Sequence, residues 1–212
     1  MPQLELYSSN RLENLARTMA EIFRKEPLSS PFGDEIILVQ SKGMERWVSM
    51  ALASRLGVCA NVRFPFPNAF FHQIFQRVIG DLPDRTGFDR EVMTWKLMAL
   101  LPEMAGSPGF EEVRHYLGDS GDDLKRYQLS ARIAYSFDQY ILYRPEMITR
   151  WEAGEDEDWQ ARLFRAIARG HEGRHAAALG KQLDDRLKGS DVDRESLPER
   201  VSVFGISTLP PF

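Results

Sequence analysis

Cysteine is nearly absent: Cys59 is the only one in 212 residues. One thiol cannot build an internal disulfide framework, nor a cysteine-rich zinc or iron–sulfur site. Long apolar runs are missing too. The longest, Leu97 to Leu101, has five residues, far short of the ~20 that span a bilayer. The first residues, Met1-Pro2-Gln3-Leu4-Glu5, offer no basic n-region and no apolar h-region. No secretory signal is read, and the expected compartment is the cytoplasm. Positive charge is also in deficit. The 27 Lys+Arg are outnumbered by 31 Asp+Glu, giving −4, and none of the stretches 1–59, 60–150 and 151–212 is net positive. A broad basic face for nonspecific nucleic-acid binding is excluded. Internal repeats and low-complexity segments are lacking as well.

What is present suits a globular chain. Hydrophobic residues make up 43%, too many for disorder and, at this length, enough for a sizeable core. The first 80 residues read β-α-β-α-β-α. Leu4 to Tyr7 predicts a short strand. Asn10, with Glu13 three residues on, predicts a capped helix carrying Leu12, Leu15, Ala16, Met19, Ile22 and Phe23. Glu35 to Gln40 is a second strand, whose run Ile36-Ile37-Leu38-Val39 suits burial on both faces of a parallel sheet. Ser41-Lys42-Gly43 turns the chain into a helix at about 44–56, closed by Gly57. A third strand at 60–64, the turn Pro65-Phe66-Pro67-Asn68 and a Phe-rich helix follow. Short loops between such elements favour a doubly wound parallel sheet.

From about 81 to 195 helical periodicity takes over, near 90–101, 110–117, 123–142, 145–152, 158–170 and 173–188. In the longest helix Leu124, Tyr127, Gln128, Ala131, Ala134, Asp138 and Ile141 share a face. Val201 to Ile206 then returns as an isolated buried strand. The expected organisation is an α/β sheet domain of residues 1–80 and 196–212, interrupted by an all-helical insertion of 81–195. The closing strand and Pro-Pro turn lead nowhere, so the native chain is expected to continue past Phe212.

In an open parallel sheet, ligands bind at the carboxyl ends of the strands. The segments to inspect are therefore 8–11, 40–44, 64–68 and 207–212. A phosphate-cradling loop needs glycines and a Lys-Ser/Thr pair after the first strand, but that turn reads Ser8-Ser9-Asn10-Arg11. A Mg²⁺-holding strand would end in a carboxylate, but the candidate ends Gly205-Ile206-Ser207-Thr208. Both halves of a nucleotide site are missing, and no catalytic or metal-binding residue is assigned. His171 and His175 lack a His-Glu-x-x-His pattern and read as exposed histidines near a helix start. The run Glu155-Asp156-Glu157-Asp158 reads as an acidic N-terminal helix turn, and Cys59 as a core residue.

A binding surface remains. Gln40 and Arg46 are side chains that can read base edges, and Lys42 neutralises phosphate; the alternative is a polar loop and an exposed helix face. Phe66, Phe70, Phe71 and His72 cluster after the third strand and could stack on unpaired bases, although most of these Phe residues would be core. Asp138 interrupts an apolar stripe and Arg144 precedes Pro145; the alternative is that they pair with each other or cap local backbone. Lys125, Arg126 and Arg132 read as ordinary solvated helix charges.

These stretches carry a resemblance. Leu6-Tyr7-Ser8-Ser9-Asn10-Arg11-Leu12, Ile37-Leu38-Val39-Gln40-Ser41-Lys42-Gly43-Met44 and Phe64-Pro65-Phe66-Pro67 resemble the N-terminus of the RecC family. So do Trp95-Lys96-Leu97-Met98, Arg114-His115-Tyr116-Leu117, Phe137-Asp138-Gln139-Tyr140, Tyr143-Arg144-Pro145 and Phe204-Gly205-Ile206-Ser207 with Leu209-Pro210-Pro211. The family is the gamma subunit of exodeoxyribonuclease V, the RecBCD helicase–nuclease. The resemblance implies a degenerate P-loop NTPase-like fold: a superfamily 1 helicase domain 1A-like parallel sheet with a domain 1B-like helical insertion. It implies no cofactor in this chain, with ATP and Mg acting in partner subunits. The implied partners are RecB, RecD, and double- and single-stranded DNA, with no membrane. The implied role is duplex splitting and Chi hotspot scanning of the 3′ strand in double-strand break repair and recombination. Family channel positions correspond to Gln40, Lys42, Arg46, Phe66, His72, Tyr135, Ser136, Asp138, Gln139, Arg144 and Ala176. At Lys42, Arg46, Phe66, His72, Tyr135, Ser136 and Ala176 the side chain departs from the family pattern, which implies an altered or absent hotspot response. The other readings are an independent P-loop-fold NTPase or nuclease, and a pure scaffold for partner subunits.

Overall fold

The computed structural model describes residues 4–80, 82–83, 85–118, 121–189, 192–193 and 197–206. They form two compact units, one of residues 4–77 and 193–206, the other of residues 78–192. The expected boundary residues 81, 195 and 196, and the strand-end segment 207–212, lie outside the described residues.

The first unit contains α1 (Leu12–Lys25), β1 (Glu35–Leu38), α2 (Lys42–Leu56), β2 (Val62–Arg63), α3 (Pro67–Val78) and β3 (Val201–Val203). The strands are ordered β2-β1-β3 and both pairings are parallel, with Glu35 opposite Val62 and Ile36 opposite Val201. Ile36, Ile37, Leu38 and Val39 are all buried, as a strand covered on both faces requires. Ile37 and Val39 pack with Ala16, Met19 and Ala20 of α1, Val48 and Leu52 of α2, and Phe204. Cys59 is half-buried against this cluster.

The predicted first strand is not formed. Leu4 and Leu6 are 96% and 92% exposed, and residues 4–9 make no ladder. Alternating apolar residues give a strand only where another strand meets their backbone, and no described strand does so. The helix that follows starts one residue later than Asn10 suggests. Arg11 is its N-cap and makes no side-chain cap bond, while Ser9 Oγ accepts from Arg11 N at 3.1 Å. The next helix starts two residues earlier than its apolar pattern. Ser41 is the N-cap, accepting from Met44 N at 3.1 Å, so Lys42 and Gly43 are the first helical residues. Gly57, at φ 86°, ends α2 where a residue with a Cβ would be strained.

The second unit contains α4 (Arg90–Met104), α5 (Glu111–Leu117), α6 (Asp123–Tyr143), α7 (Pro145–Ala153), α8 (Trp159–Ala168) and α9 (Ala176–Lys188). Its centre is aromatic: the Phe137 ring lies 5.5 Å from Phe164 and 5.9 Å from Trp151, both edge-on. The buried face of α6 is Ser130, Ile133, Ala134, Phe137 and Ile141, rotated from the predicted stripe. Leu124 is 65% exposed and Tyr127 43%. The helix has apolar residues on two sides, and α4, α7 and α9 pack against the side that carries Phe137.

Two polar readings also change. Of the acidic run, only Asp158 serves α8, as its N-cap, accepting from Gln160 N at 2.8 Å and Ala161 N at 3.1 Å. Asp156 and Glu157 precede the helix and pair with Arg150 and Arg165. His171 is exposed, but His175 is buried to 1%. Its Nδ1 caps α9 by accepting from Ala178 N at 3.2 Å, and its Nε2 lies 3.1 Å from Glu152 Oε2. The rings of Phe88 and Phe164 stand edge-on beside it.

Candidate nucleic-acid interface

The candidate residues fall on both units, and each group is built locally. In the first unit the chain leaves β1 at the carboxyl end of the sheet, exposes Gln40, and enters α2 through the Ser41 cap. Beside it β2 ends, and Pro65 O accepts from Val39 N at 3.5 Å. That junction holds Phe66 next to the start of α2. Lys42 Nζ lies 5.5 Å from the Phe66 ring centroid and 2.7 Å from Glu45 Oε2. Phe66 is 39% exposed, and Arg46, one helical turn beyond Lys42, is exposed. The free N–H groups and positive dipole end of α2 add to the cationic character here. His72 is half-buried on α3, and its Nε2 is buried without a hydrogen-bond partner. Phe70 is core, at 8% exposure.

In the second unit Tyr135, Ser136, Asp138 and Gln139 occupy little more than one turn of α6. Tyr135 is exposed, with the Arg132 guanidinium 5.7 Å from its ring centroid. Ser136 Oγ donates back to Arg132 O at 3.1 Å. Gln139 Nε2 donates to Asp138 Oδ2 at 3.3 Å. Burial pushes the Asp138 carboxyl above its ordinary range, against the opposing pull of the Gln139 amide and the Arg90 charge. Arg144 is the residue between α6 and α7, its guanidinium 6.0 Å from the Tyr140 ring. Asp138 and Arg144 thus engage Gln139 and Tyr140 rather than each other. Ala176 is the half-buried first residue of α9.

The structure therefore joins Lys42 to Phe66 and groups four candidates on α6. Lys125, read from the sequence as an ordinary solvated charge, has its Nζ 4.8 Å from the ring centroid of exposed Tyr116. The available signal was the seven-residue spacing of Lys125 and Arg132 on a stretch, 124–137, without Asp or Glu. Among the described residues no group of three or more His, Cys, Asp or Glu is placed to hold a metal ion. No described helix is long and apolar enough to cross a membrane.

Comparison with known proteins supplies the kinship. A family model described as the RecC N-terminal domain matches residues 4–212. The chain is 40% identical over 220 residues to the RecBCD enzyme subunit RecC of Escherichia coli (strain K12), covering 98% of this chain and 20% of that protein. It is 35% identical over 237 residues to the subunit of the same name from Haemophilus influenzae, covering 97% and 21%. For that of Mycolicibacterium smegmatis the figures are 30% over 220 residues, 98% and 19%. The chain spans about one fifth of the length of these curated relatives. With a family model matched along almost its whole length, the chain belongs to the RecC family, in the region of that family's N-terminal domain.

Proposed function

We propose that this chain is a non-catalytic DNA-handling region of a RecBCD-type helicase–nuclease, acting in the cytoplasm in double-strand break repair and recombination. Its partners are RecB, RecD and the separated strands of DNA, and ATP and Mg act in the partner subunits. The fold is read as a degenerate helicase 1A-like sheet with a 1B-like helical insertion. The observation that carries the reading is the pairing of Lys42 with exposed Phe66 at the carboxyl ends of β1 and β2. A cation and a ring side by side supply the two things that an unpaired nucleotide offers to bind, a phosphate and a stacking face. The segment Ser8-Ser9-Asn10-Arg11 ahead of α1 follows no strand and has no glycine with which to wrap phosphates, which supports a non-catalytic role.

The assigned contacts are Gln40, Lys42, Arg46, Phe66 and His72 in one group and Tyr135, Ser136, Asp138, Gln139 and Arg144 in the other. We infer a role in splitting the duplex and in scanning the 3′ strand for a hotspot. The departures at Lys42, Arg46, Phe66, His72, Tyr135 and Ser136 alter the hydrogen-bonding and stacking groups offered to bases, so the standard Chi octamer is not the cognate signal. A hotspot-protection assay with the complete complex tests this. Little or no protection by the standard octamer is expected, and full protection would overturn the specificity. Tight ATP binding by the full-length subunit alone would overturn the non-catalytic reading.

A further inference from the structure

Two loops at the amino ends of β1 and β2 carry bare apolar side chains. Phe32, in the loop ahead of β1, is 88% exposed, and Val58, in the loop ahead of β2, is 65% exposed. Pro31 and Ala60 beside them are exposed as well. One residue, Asn61, fastens the loops together. Its Nδ2 donates to Pro31 O at 3.1 Å, and its O accepts from Glu35 N at 2.8 Å. Asn61 holds φ 53° and is the one described residue other than glycine in the left-handed region. Asn adopts that backbone more readily than most residues, but still with strain. The turn around Phe32 is closed too: Gly33 N donates to Ser30 O at 3.0 Å, and Phe32 N to Ser30 Oγ at 3.3 Å. The ring therefore stands on a bonded turn rather than a free tip, and a pre-ordered side chain loses little freedom on docking. The charged residues nearest in sequence are already engaged. Arg63 Nη1 lies 3.8 Å from Asp34 Oδ2, and Glu199 accepts from Ser29 N and Oγ. Neither group offers a cation to a phosphate or a carboxylate to a basic partner, so the patch suits a neutral apolar surface.

We propose that Phe32, with the joined loop that carries Val58, is a docking knob for an apolar pocket on the part of the full-length polypeptide that lies outside this chain. The chain spans about one fifth of the length of its curated relatives. In a full-length member, most of the surface that can meet this patch is thus on the same polypeptide, tethered at high effective concentration. A separate subunit would have to give up its translational and rotational freedom to occupy the same place. The knob lies at the opposite ends of β1 and β2 from Gln40, Lys42 and Phe66, so docking fastens the sheet unit and leaves that group open. The assignment rests on membership of the family and on the relatives' length, and not on the DNA-handling reading.

Photo-crosslinking from Phe32→p-benzoylphenylalanine, which keeps an apolar ring at the position, tests the knob. It is carried out on the full-length subunit alone and in the complete complex, with the crosslinked peptides identified by mass spectrometry. The expected result is a crosslink within one polypeptide, to a peptide beyond residue 212, with a yield independent of protein concentration and the same in both samples. Phe32→Ala should lower the thermal midpoint of the isolated full-length subunit by roughly 2–4 °C, and Phe32→Leu should recover part of that loss. A crosslink to a different subunit, seen only in the complex, would make the patch an intersubunit contact and overturn the proposal. Crosslinks between two copies of the subunit, rising with concentration, would overturn it in favour of self-association. Crosslinks confined to residues 1–212, no crosslink at all, or a parental midpoint in Phe32→Ala would show a patch that nothing downstream covers, and the knob would be wrong.

Discussion

Arg200 holds both carboxylate oxygens of Glu35 with one edge of its guanidinium. Nε donates to Oε2 at 3.0 Å and Nη2 donates to Oε1. The remaining Nη1 donates to Glu26 O at 2.8 Å, and the group lies 4.9 Å from the Phe23 ring centroid. One side chain at the start of β3 thereby fastens the start of β1 and the end of α1. It does so where the chain re-enters the first unit after more than a hundred residues in the second. With side-chain exposures of 20% and 13%, the pair is shielded enough for its loss to matter. Arg200→Ala should cost about 2–3 kcal/mol, seen as a lower urea midpoint at unchanged slope. Arg200→Lys should recover less than half, because an ammonium cannot make the bidentate contact. An unchanged midpoint in Arg200→Ala would show that the pair only balances its desolvation.

His175 and Glu152 make the corresponding junction in the second unit. Burial pushes the Glu152 carboxyl up, but the His175 ring and the Gly173 N–H more than offset this and leave it below its ordinary value of 4.5. A carboxyl depressed in the folded state adds stability that is fully present above the unfolded pKa and lost as pH falls through the folded one. Glu152→Gln should therefore flatten the acid limb of a urea-midpoint profile below about pH 4.5. His175→Ala should cost roughly 2–4 kcal/mol through the lost α9 cap and the space left between Phe88 and Phe164. A parental profile in Glu152→Gln would remove Glu152 from the acid response.

Asp138 works in the opposite direction. Its raised pKa means that the folded chain binds the proton more tightly than the unfolded chain. The ionised group becomes a burden as pH rises through the folded pKa. Asp138→Asn should raise the thermal midpoint at neutral pH, and the gain should vanish as pH falls to about 4. A gain that persists at that pH would assign it to packing instead.

Gly87 leaves room for one hydrogen bond. A Cβ there would lie 2.8 Å from Lys96 Nζ and 3.1 Å from His171 Cδ2. Lys96 Nζ donates to Ile167 O at 2.9 Å, near the end of α8. Gly87→Ala should displace the ammonium and cost about 1–2 kcal/mol. Lys96→Ala in that background should add little, and a double-mutant cycle measures the coupling. Additive losses would show that the glycine serves something else.

Much of this was readable from the residues, for local reasons. Ile36 to Val39 announced a strand because four consecutive apolar residues have few other uses. Gly57 announced a helix end because few residues adopt its backbone. Leu4 to Tyr7 misled because alternation describes what a strand would bury, not whether a neighbour exists. The α6 face misled because Leu124 and Tyr127 are as apolar as Ile133 and Phe137, and only α4, α7 and α9 decide between them. His175 looked like a surface residue because its partner, Glu152, is more than twenty positions away. At the candidate interface Lys42 and Phe66 were each visible in the sequence, but their contact was not, since it depends on two strands ending side by side.

The exposed side of β3 has a practical consequence. Val201 and Val203 are 39% and 48% exposed, and among the described residues β3 is paired on one side only. Leu4 and Leu6 stand bare in the same unit. A bare edge with outward valines is a template on which further strands can grow. Handled by itself at high concentration, this chain is therefore set to self-associate through backbone ladders rather than through its charged surface. Salt would do little to disperse it, and Val203→Lys, which puts a charge on that edge, would do more.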